Sequence, residues 1–405
     1  MFQVMSGKAF RFFGHLKLHV YTMLLIAVTF VWMALPYNNG LDMAVHKWTQ
    51  LIKIAGPEKE KSSPDSVIFI DVSASKYLVP LNMDSTENEV ITNRKYLAQL
   101  FQYIAAHQCR VRYILTDVVF DTPTPDDSAL LVSIQALGNK LLAVNSYVAD
   151  TLQQNILGVR AATATMRLQS GAIYKIPFTG SRGDTMVPLK IYLDVHPDGA
   201  VVHRFYTRFQ QAGIAFNTQI PEMYLRAHDF TEGNYPKVSL GELVALMNIS
   251  PELFDLYLKN RYILVGDFKN DLHETYLNTQ PGTLILFNAF WQLESRRQII
   301  SVWYLLVLYL FIYVVVWLQW RRKSFIYNIA LKPMYFQAFD LPFNIISVSL
   351  LLIVFTVLSA LVFHVNISIF HLIVIFSLVD IWQLIAGKLD RKSSRWGIAI
   401  KVIER

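Results

Sequence analysis

Residues 66–72 read SVIFIDV, and residues 113–119 read YILTDVV. Each is a short run of β-branched and other apolar residues with an aspartate near its end, which is typical of a strand buried on both faces. A third run of this kind, RYILV, occupies residues 261–265. Strands of this type belong to parallel sheets covered by helices on both sides. These segments therefore predict an α/β domain with a largely parallel or mixed central sheet flanked by helices.

Helix signals separate the first strands. Apolar residues recur at helical spacing over residues 96–104, and Thr92 is the predicted N-cap of that helix. Further along, a Thr-Pro-Thr-Pro turn precedes a second helix, which Asp126 or Asp127 caps and which runs to Gly138. Another strand follows at once. This β-α-β-α-β order predicts parallel strands joined by right-handed crossovers.

The middle of the domain has a weaker pattern. Residues 172–177 and 190–195 alternate weakly, which predicts short mixed or antiparallel strands. The His-Pro-Asp-Gly sequence at 196–199 predicts a turn between paired strands. A helix predicted at 283–295 ends the domain.

The composition places part of the chain in a membrane. Of 405 residues, 53% are hydrophobic and 17% charged, which is too apolar for an ordinary soluble protein. A bilayer core of about 30 Å needs about 20 apolar residues in a helix. One N-terminal span and three C-terminal spans meet this requirement: 18–37, 301–320, 341–363 and 367–387. The remaining segments are the N-terminus 1–17, a juxtamembrane helix and linker 38–65, the large domain 66–300, a loop 321–340 and a tail 388–405.

Basic residues set the orientation of these four predicted helices. Lys and Arg cluster at 8–17, 321–332 and 388–395, and the positive-inside rule assigns such clusters to the cytoplasm. Both termini are then cytoplasmic and the large domain is periplasmic or extracellular. We expect a multi-pass protein of the bacterial inner membrane, with the lipid bilayer as a partner. The net charge of +7 is explained by these flanks and predicts no nucleic-acid partner.

The single cysteine excludes two kinds of thiol chemistry within the chain. Cys109 has no second cysteine to pair with, so the chain forms no intramolecular disulfide and no thiolate metal cluster. Its place between a predicted helix and a predicted strand favours a small core residue.

Asp380 interrupts the fourth predicted span. An ionisable side chain inside a membrane is costly, so we expect it to face the helix bundle, where Asn344 or a hydroxyl group is available as a partner. The alternative is a carboxylate close to the cytoplasmic interface that reaches water or Lys388. A transporter is not favoured, because the spans lack internal repeats and broken helices.

Polar residues gather where the predicted strands end. In open α/β sheets, ligands bind beyond the carboxyl ends of the strands. If these strands are neighbours, their carboxylates converge and offer oxygen ligands suited to Mg²⁺ or Ca²⁺. The competing interpretation is that they bond to nearby backbone N–H groups. The candidate ligand-binding residues, including an arginine at a helix start, are Asp71, Asp117, Asp267, Asp271, His273 and Arg94.

Two of these candidates have further interpretations. Arg94 is in position to form an ion pair with Asp71 or Asp117, a structural role in most proteins. Asp271 beside His273 is compatible with acid–base or metal-assisted hydrolysis. No paired nucleophile and no glycine-rich phosphate loop accompany them in the sequence. No catalytic residue is therefore assigned, and a metal-dependent hydrolase is the least favoured function.

Several stretches of the sequence belong to one pattern: Ile70-Asp71, Asn93-Arg94, 115–120 with the following Pro-Asp-Asp turn, 197–201 with Arg204, and 259–267 before Pro281-Gly282. Together they resemble one family, the type-2 CHASE sensory domain, named for its association with cyclases and histidine kinases. The resemblance covers roughly residues 16–388. It implies an extracytoplasmic sensory domain with one span before it and three after it.

The resemblance implies a receptor that senses an envelope cue and passes a signal inward. The tail 388–405 is too short for a kinase or cyclase, so we expect the output to come from a separate signalling or envelope protein. The alternative is a structural or scaffolding subunit of an envelope complex. A homodimer is compatible with either function.

Overall fold

The computed structural model describes residues 3–36, 39–55, 66–80, 87–107, 109–148, 151–153, 155–164, 166, 168–169, 171–180, 183–210, 212–231, 235–320, 340–379 and 381. The chain divides into two units. The α/β unit is Gln50–Ile299, and the helical unit combines Met1–Thr49 with Ile300–Arg405.

The helices and strands of the described residues are numbered in chain order. The helices are α1 (Gln3–Ala34), α2 (Gly40–Ala55), α3 (Arg94–Ala106), α4 (Asp127–Leu137), α5 (Val187–Val195), α6 (His228–Thr231), α7 (Leu240–Ile249), α8 (Pro251–Leu258), α9 (Gly282–Glu294), α10 (Val302–Trp320), α11 (Asp340–Val362) and α12 (Phe370–Val379). The strands are β1 (Val67–Asp71), β2 (Lys76–Pro80), β3 (Asn88–Thr92), β4 (Tyr113–Thr116), β5 (Leu141–Val148), β6 (Thr151–Gln153), β7 (Ala161–Ala164), β8 (Leu168–Gln169), β9 (Ala172–Ile173), β10 (Ile176–Pro177), β11 (Ala200–Val202), β12 (Tyr206–Phe209), β13 (Gly213–Phe216), β14 (Thr218–Gln219), β15 (Lys237–Ser239), β16 (Tyr262–Gly266), β17 (Leu272–Glu274) and β18 (Thr279–Pro281).

The central sheet of the α/β unit has the order β15-β1-β16-β4-β5-β6, and β7 also pairs with β5. Its pairs are parallel except for β5 with β6. Every residue of β16 is buried, as expected for the strand between β1 and β4. The prediction of an α/β fold with a mostly parallel sheet is therefore confirmed.

Alternating side chains of the strands fill two cores. Ile68 and Ile70 of β1 pack in one core with α3, α4, α7 and α8. Val67 and Phe69 of the same strand pack in the other core with α5 and α9. Successive side chains of a strand point to opposite faces, so one apolar run serves both layers.

The predicted helix starts need correction. Asn93, not Thr92, caps α3, and its side chain accepts a hydrogen bond from the Tyr96 N–H at 3.1 Å. Thr92 is still the last residue of β3, where it pairs with Lys76. At α4 the Asp126 side chain makes no capping hydrogen bond.

The strand predicted at 190–195 is wrong. These residues belong to α5, whose Val187 and Ile191 are four positions apart and share a buried face. The turn at 196–199 consequently joins a helix to β11 rather than two paired strands. Antiparallel pairs do occur in the middle of the chain, in β11-β12-β13, β8-β9 and β10-β14.

Among the residues that the structure describes, two helices are long and apolar enough to cross a membrane: residues Leu16–Ala34 of α1 and Val302–Gln319 of α10. Ile346–Val362 within α11 and Phe370–Val379 are shorter apolar helices. The arrangement of one span before and three after the domain therefore stays a prediction. Residues 56–65 of the predicted linker lie outside the described residues.

The helical unit contains contacts among its apolar helices. Phe311 of α10 stacks on Phe355 of α11 with ring centroids 3.7 Å apart. His371 of α12 lies 3.1 Å from the Thr29 hydroxyl of α1. Asp380 and the side chain of Asn344 lie outside the described residues, so their predicted pairing stays a prediction. The described contacts join α10 to α11 and α12 to α1.

Cys109 is buried and its thiol donates to Asp255 at 3.1 Å. Burial and the Asp255 carboxylate raise the pKa of this thiol to about 12, so it remains protonated at neutral pH. The predicted role as a small core residue is confirmed.

Gly266→Ala tests how closely α9 approaches the central strand. A Cβ atom at Gly266 would overlap the Thr283 hydroxyl and lie 3.1 Å from the Thr283 Cβ. We expect the free energy of unfolding to fall by about 1–3 kcal/mol, as for overpacking in a core. The measurement is urea unfolding of the detergent-solubilised protein. Gly241→Ala is the control, because its Cβ would lie 3.8 Å from the nearest atom, and equal losses in both variants would contradict the close approach.

Candidate functional site

The predicted neighbouring strands bring their carboxyl ends to one edge of the sheet. Strand β16 lies between β1 and β4, and Asp71 pairs in register with Gly266. The Asp117 N–H, one residue beyond β4, donates to the Val265 carbonyl at 2.8 Å. Asp71, Asp117 and the loop after Gly266 therefore follow adjacent strands.

Asp117 is the most perturbed carboxyl group at this edge. The Thr283 hydroxyl, in the first turn of α9, donates to Asp117 Oδ2 at 2.8 Å. Burial and the nearby Asp271 charge raise the pKa of Asp117 to about 7, although Thr283 and His273 act in the opposite direction. Asp117 therefore changes its charge near neutral pH.

Asp271 and His273 form a pair beside this carboxyl group. His273 Nε2 lies 2.9 Å from Asp271 Oδ1, and both side chains are partly exposed. The bond to Asp271 and the charge of Asp117 raise the pKa of His273 against the effect of burial. Gly282 leaves the necessary space, since a Cβ there would lie 3.2 Å from His273 Nε2. We call Asp117, Asp271, His273 and Thr283 the Asp117 cluster.

Asp71 and Asp267 have partners within the protein. Asp71 accepts from the Ser73 N–H at 3.0 Å and lies 3.6 Å from Lys237 Nζ. Asp267 forms an ion pair with Lys76 and accepts from the Asn270 N–H at 2.8 Å. Burial opposes these contacts, yet they lower the pKa of Asp267. The sequence-based alternative, carboxylates that bond to nearby backbone groups, describes these two residues.

Arg94 does not form the ion pair that was predicted at this edge. Its ion-pair partner is Asp127, at the start of α4, rather than Asp71 or Asp117. The guanidinium is buried and lies 5.4 Å from the Phe120 ring centroid. Arg94 therefore fastens α3 to α4, because α4 packs beside α3 and places Asp127 within reach.

The carboxylates do not form a recognisable metal site. Among the residues that the structure describes, no group of three or more His, Cys, Asp or Glu side chains is arranged to hold a metal ion. Asp271 and His273 bond to each other, and Asp267 bonds to Lys76. These oxygen donors do not fit the Mg²⁺ or Ca²⁺ site that the sequence suggested. What the cluster can do is exchange a proton, or accept a hydrogen bond from a cationic group, beside the first turn of α9.

The sequence pattern did not reveal the polar face of α9. Thr283, Asn288 and Gln292 are fully buried. Asn288 Oδ1 accepts from the Leu225 N–H at 2.9 Å, and Gln292 Oε1 accepts from the Glu222 N–H at 2.8 Å. Asn288 and Gln292 are four positions apart and share one face of the helix, whereas Thr283 lies nine positions before Gln292 and on the opposite side. The spacing of the two amides in a largely apolar helix was the available signal.

A comparison with family models gives a match to the CHASE2 domain over residues 23–319. This range is more than half of the chain. The chain belongs to the CHASE2 domain family. Searches of curated proteins and of solved structures gave no match.

Membership confirms the resemblance found in the sequence. CHASE2 domains are extracytoplasmic sensory domains, not catalytic ones. The matched range begins within α1 and ends within α10, the two helices that could cross a membrane. The Asp117 cluster thus lies in the sensory domain.

Asp117→Asn tests the charge change at this edge. The folded-state pKa of about 7 exceeds the ordinary value of 3.8, so the folded protein holds the proton more tightly than the unfolded chain. Stability should fall as pH rises from about 4 to about 7. Asp117→Asn should remove this loss and raise the unfolding free energy by about 1–3 kcal/mol at pH 8, after allowance for partial exposure. Urea unfolding at a series of pH values measures it.

Asp267→Asn is the control of opposite sign. The folded-state pKa of Asp267 is lowered, so its stabilisation is present above about pH 4 and lost as pH falls through the folded pKa. Asp267→Asn should therefore destabilise the protein at pH 8. Parallel pH profiles of wild type and Asp117→Asn would rule out the proposed titration.

Proposed function

We propose that this protein is a membrane-bound sensor in which an envelope cue acts at the Asp117 cluster and α9 conveys the change toward α10. The observation that carries the proposal is the bond from Thr283, in the first turn of α9, to Asp117. Only residues 295–301 separate the end of α9 from the start of α10. A change at the sheet edge thus has a short path along the chain to a candidate span.

The burial of α9 supports this path. Eleven of its residues are buried, and close-packed interiors transmit displacement because side chains have little free space. A movement of its first turn therefore displaces the helix as a body. A cue shifts the equilibrium only if it binds the two states with different affinity.

The chemistry of the cluster restricts the cue. Asp117 and Asp271 are acidic, and His273 is bonded to Asp271. Protons, or a small molecule with a cationic hydrogen-bond donor such as an ammonium group, complement this arrangement. Binding of either would change the charge that faces Thr283.

We further propose four spans in a bacterial inner membrane, both termini in the cytoplasm and a separate signalling partner. Support comes from the contacts of α10 with α11 and of α12 with α1 within the helical unit. The basic clusters at 321–323 and 388–392 agree with this orientation. The partner would receive the signal through these helices or their cytoplasmic connections.

A scaffolding function is the second candidate. Ile249, Leu253 and Leu256 are 81%, 59% and 66% exposed at the end of α7 and along α8. Neighbouring exposed apolar side chains of this kind often mark protein–protein contacts. In this alternative the sensory domain is a docking surface for an envelope protein or a second copy of the chain.

Cysteine labelling in spheroplasts tests the four-span topology. Leu256→Cys lies on the exposed surface of the α/β unit, whereas Ser324→Cys and Ser394→Cys fall in the proposed cytoplasmic segments. A membrane-impermeant maleimide should label only the first in intact spheroplasts and all three after permeabilisation. Native Cys109 is buried and should stay unlabelled. Labelling of position 394 before permeabilisation would contradict an even number of spans.

Cross-linking of the intact protein in native membranes, followed by mass spectrometry, tests sensing against scaffolding. For a sensor, Asp117→Asn should change the recovery of a signalling partner by at least about threefold at pH 8, because position 117 is then neutral at a pH where the wild-type carboxyl group is largely ionised. Glu252→Gln, an exposed carboxylate of α8, is the matched control. If the wild type, Asp117→Asn and Glu252→Gln all recover envelope proteins in the same stoichiometry, the result would favour the scaffold and contradict the sensor.

A further inference from the structure

A second charged cluster of the α/β unit is centred on Glu222, whose side chain is fully buried. Lys53 Nζ lies 2.8 Å from Glu222 Oε1, and Arg297 Nη1 lies 3.4 Å from Glu222 Oε2. Gln298 Nε2 donates to Oε1 at 3.1 Å, and the Tyr224 hydroxyl donates to Oε2. One carboxylate thus has four side-chain partners.

Three of these partners come from the two ends of the unit, whereas Tyr224 is a neighbour of Glu222 in the sequence. Lys53 lies in the last turn of α2, where the chain comes from α1. Arg297 and Gln298 follow α9, where the chain continues to α10. We call residues 50–55 the N-terminal connector and residues 295–299 the C-terminal connector. Glu222 bonds to both connectors through a single carboxylate group.

The charged groups around Glu222 depend on one another. Burial by itself would raise the pKa of Glu222, but the charges of Lys53 and Arg297 lower it to about 2, so the carboxylate is ionised at physiological pH. A buried charge left without its partner is strongly unfavourable. Loss of one cation therefore weakens the placement of the others.

The C-terminal connector has an unusual backbone. Arg296 and Gln298 have φ angles of 55° and 60°, in the left-handed region that non-glycine residues seldom occupy. Such conformations persist where surrounding contacts determine them. Arg297 and Gln298 make those contacts with Glu222, so the carboxylate supports a strained turn.

The segment that carries Glu222 is itself held by α9. Gln292 Oε1 accepts from the Glu222 N–H at 2.8 Å, and Gln292 Nε2 donates to Gln219. A displacement of α9 would therefore move the backbone of Glu222 together with its two cationic partners. The connector contacts are consequently linked to the same helix that bears Thr283.

We infer that Glu222 is a positioning residue that clamps the N-terminal and C-terminal connectors together, so that the two chain segments leading to α1 and α10 respond as one body. This inference deepens the proposed function, because it names the part of the sensory domain that delivers the change.

Hydrogen–deuterium exchange of the full-length protein in mild detergent tests the clamp without any cue. Lys53→Met should raise amide exchange in the C-terminal connector at least about fivefold. Arg297→Met should do the same in the N-terminal connector. Each variant leaves Glu222 one cation, and each effect must cross the shared carboxylate. Glu222→Gln should raise exchange in both connectors while β16 stays protected.

Asp194→Asn is the matched control. Asp194 is a buried carboxylate of the same unit that pairs with Arg160 and accepts from the Tyr113 hydroxyl. Its loss should leave both connectors unchanged. The clamp is overturned if Lys53→Met and Arg297→Met each affect only their own connector, or if β16 loses protection together with the connectors. Because no cue is used, failure here is separate from failure of the pH and cross-linking tests of the sensor.

Discussion

The structure of the α/β unit depends on the burial of a helix with a polar face. Asn288 and Gln292 of α9 accept hydrogen bonds from the backbone N–H groups of Leu225 and Glu222. Buried backbone groups without partners are costly, and α9 supplies partners to a buried segment that follows β14 without regular structure. Apolar substitutes at these positions would fill the space but leave the N–H groups unpaired.

This constraint places two charged clusters on one rigid element. Thr283, in the first turn of α9, bonds to Asp117 at the sheet edge. Gln292, in its last turns, holds the backbone of Glu222. The cluster at the sheet edge titrates near neutral pH, whereas Glu222 stays ionised. One end of the helix is thus suited to respond to a cue and the other to hold the connectors in place.

The sequence correctly predicted those strands and helices that a local pattern of residues determines. SVIFIDV could be recognised as a doubly buried strand, and apolar spacing indicated α3. Errors arose where short segments satisfy two periodicities, as in α5, or where neighbouring polar residues compete for a cap, as at Thr92 and Asn93. The sequence did not predict which distant residues bond to each other. Arg94 bonds to Asp127 rather than to a strand-end aspartate, and Lys53 bonds to Glu222, which is 169 residues away in the sequence.

Transmission along α9 requires that the charge of Asp117 alter the backbone at the far end of this helix. Amide exchange in residues 295–299 of wild type and Asp117→Asn, compared at pH 8 and at pH 5, tests it most directly. At pH 8 the wild-type carboxyl group is largely ionised and the variant is neutral, so their exchange rates should differ. At pH 5 both are neutral and the rates should coincide. Equal rates at both pH values, with β16 equally protected, would contradict transmission along α9.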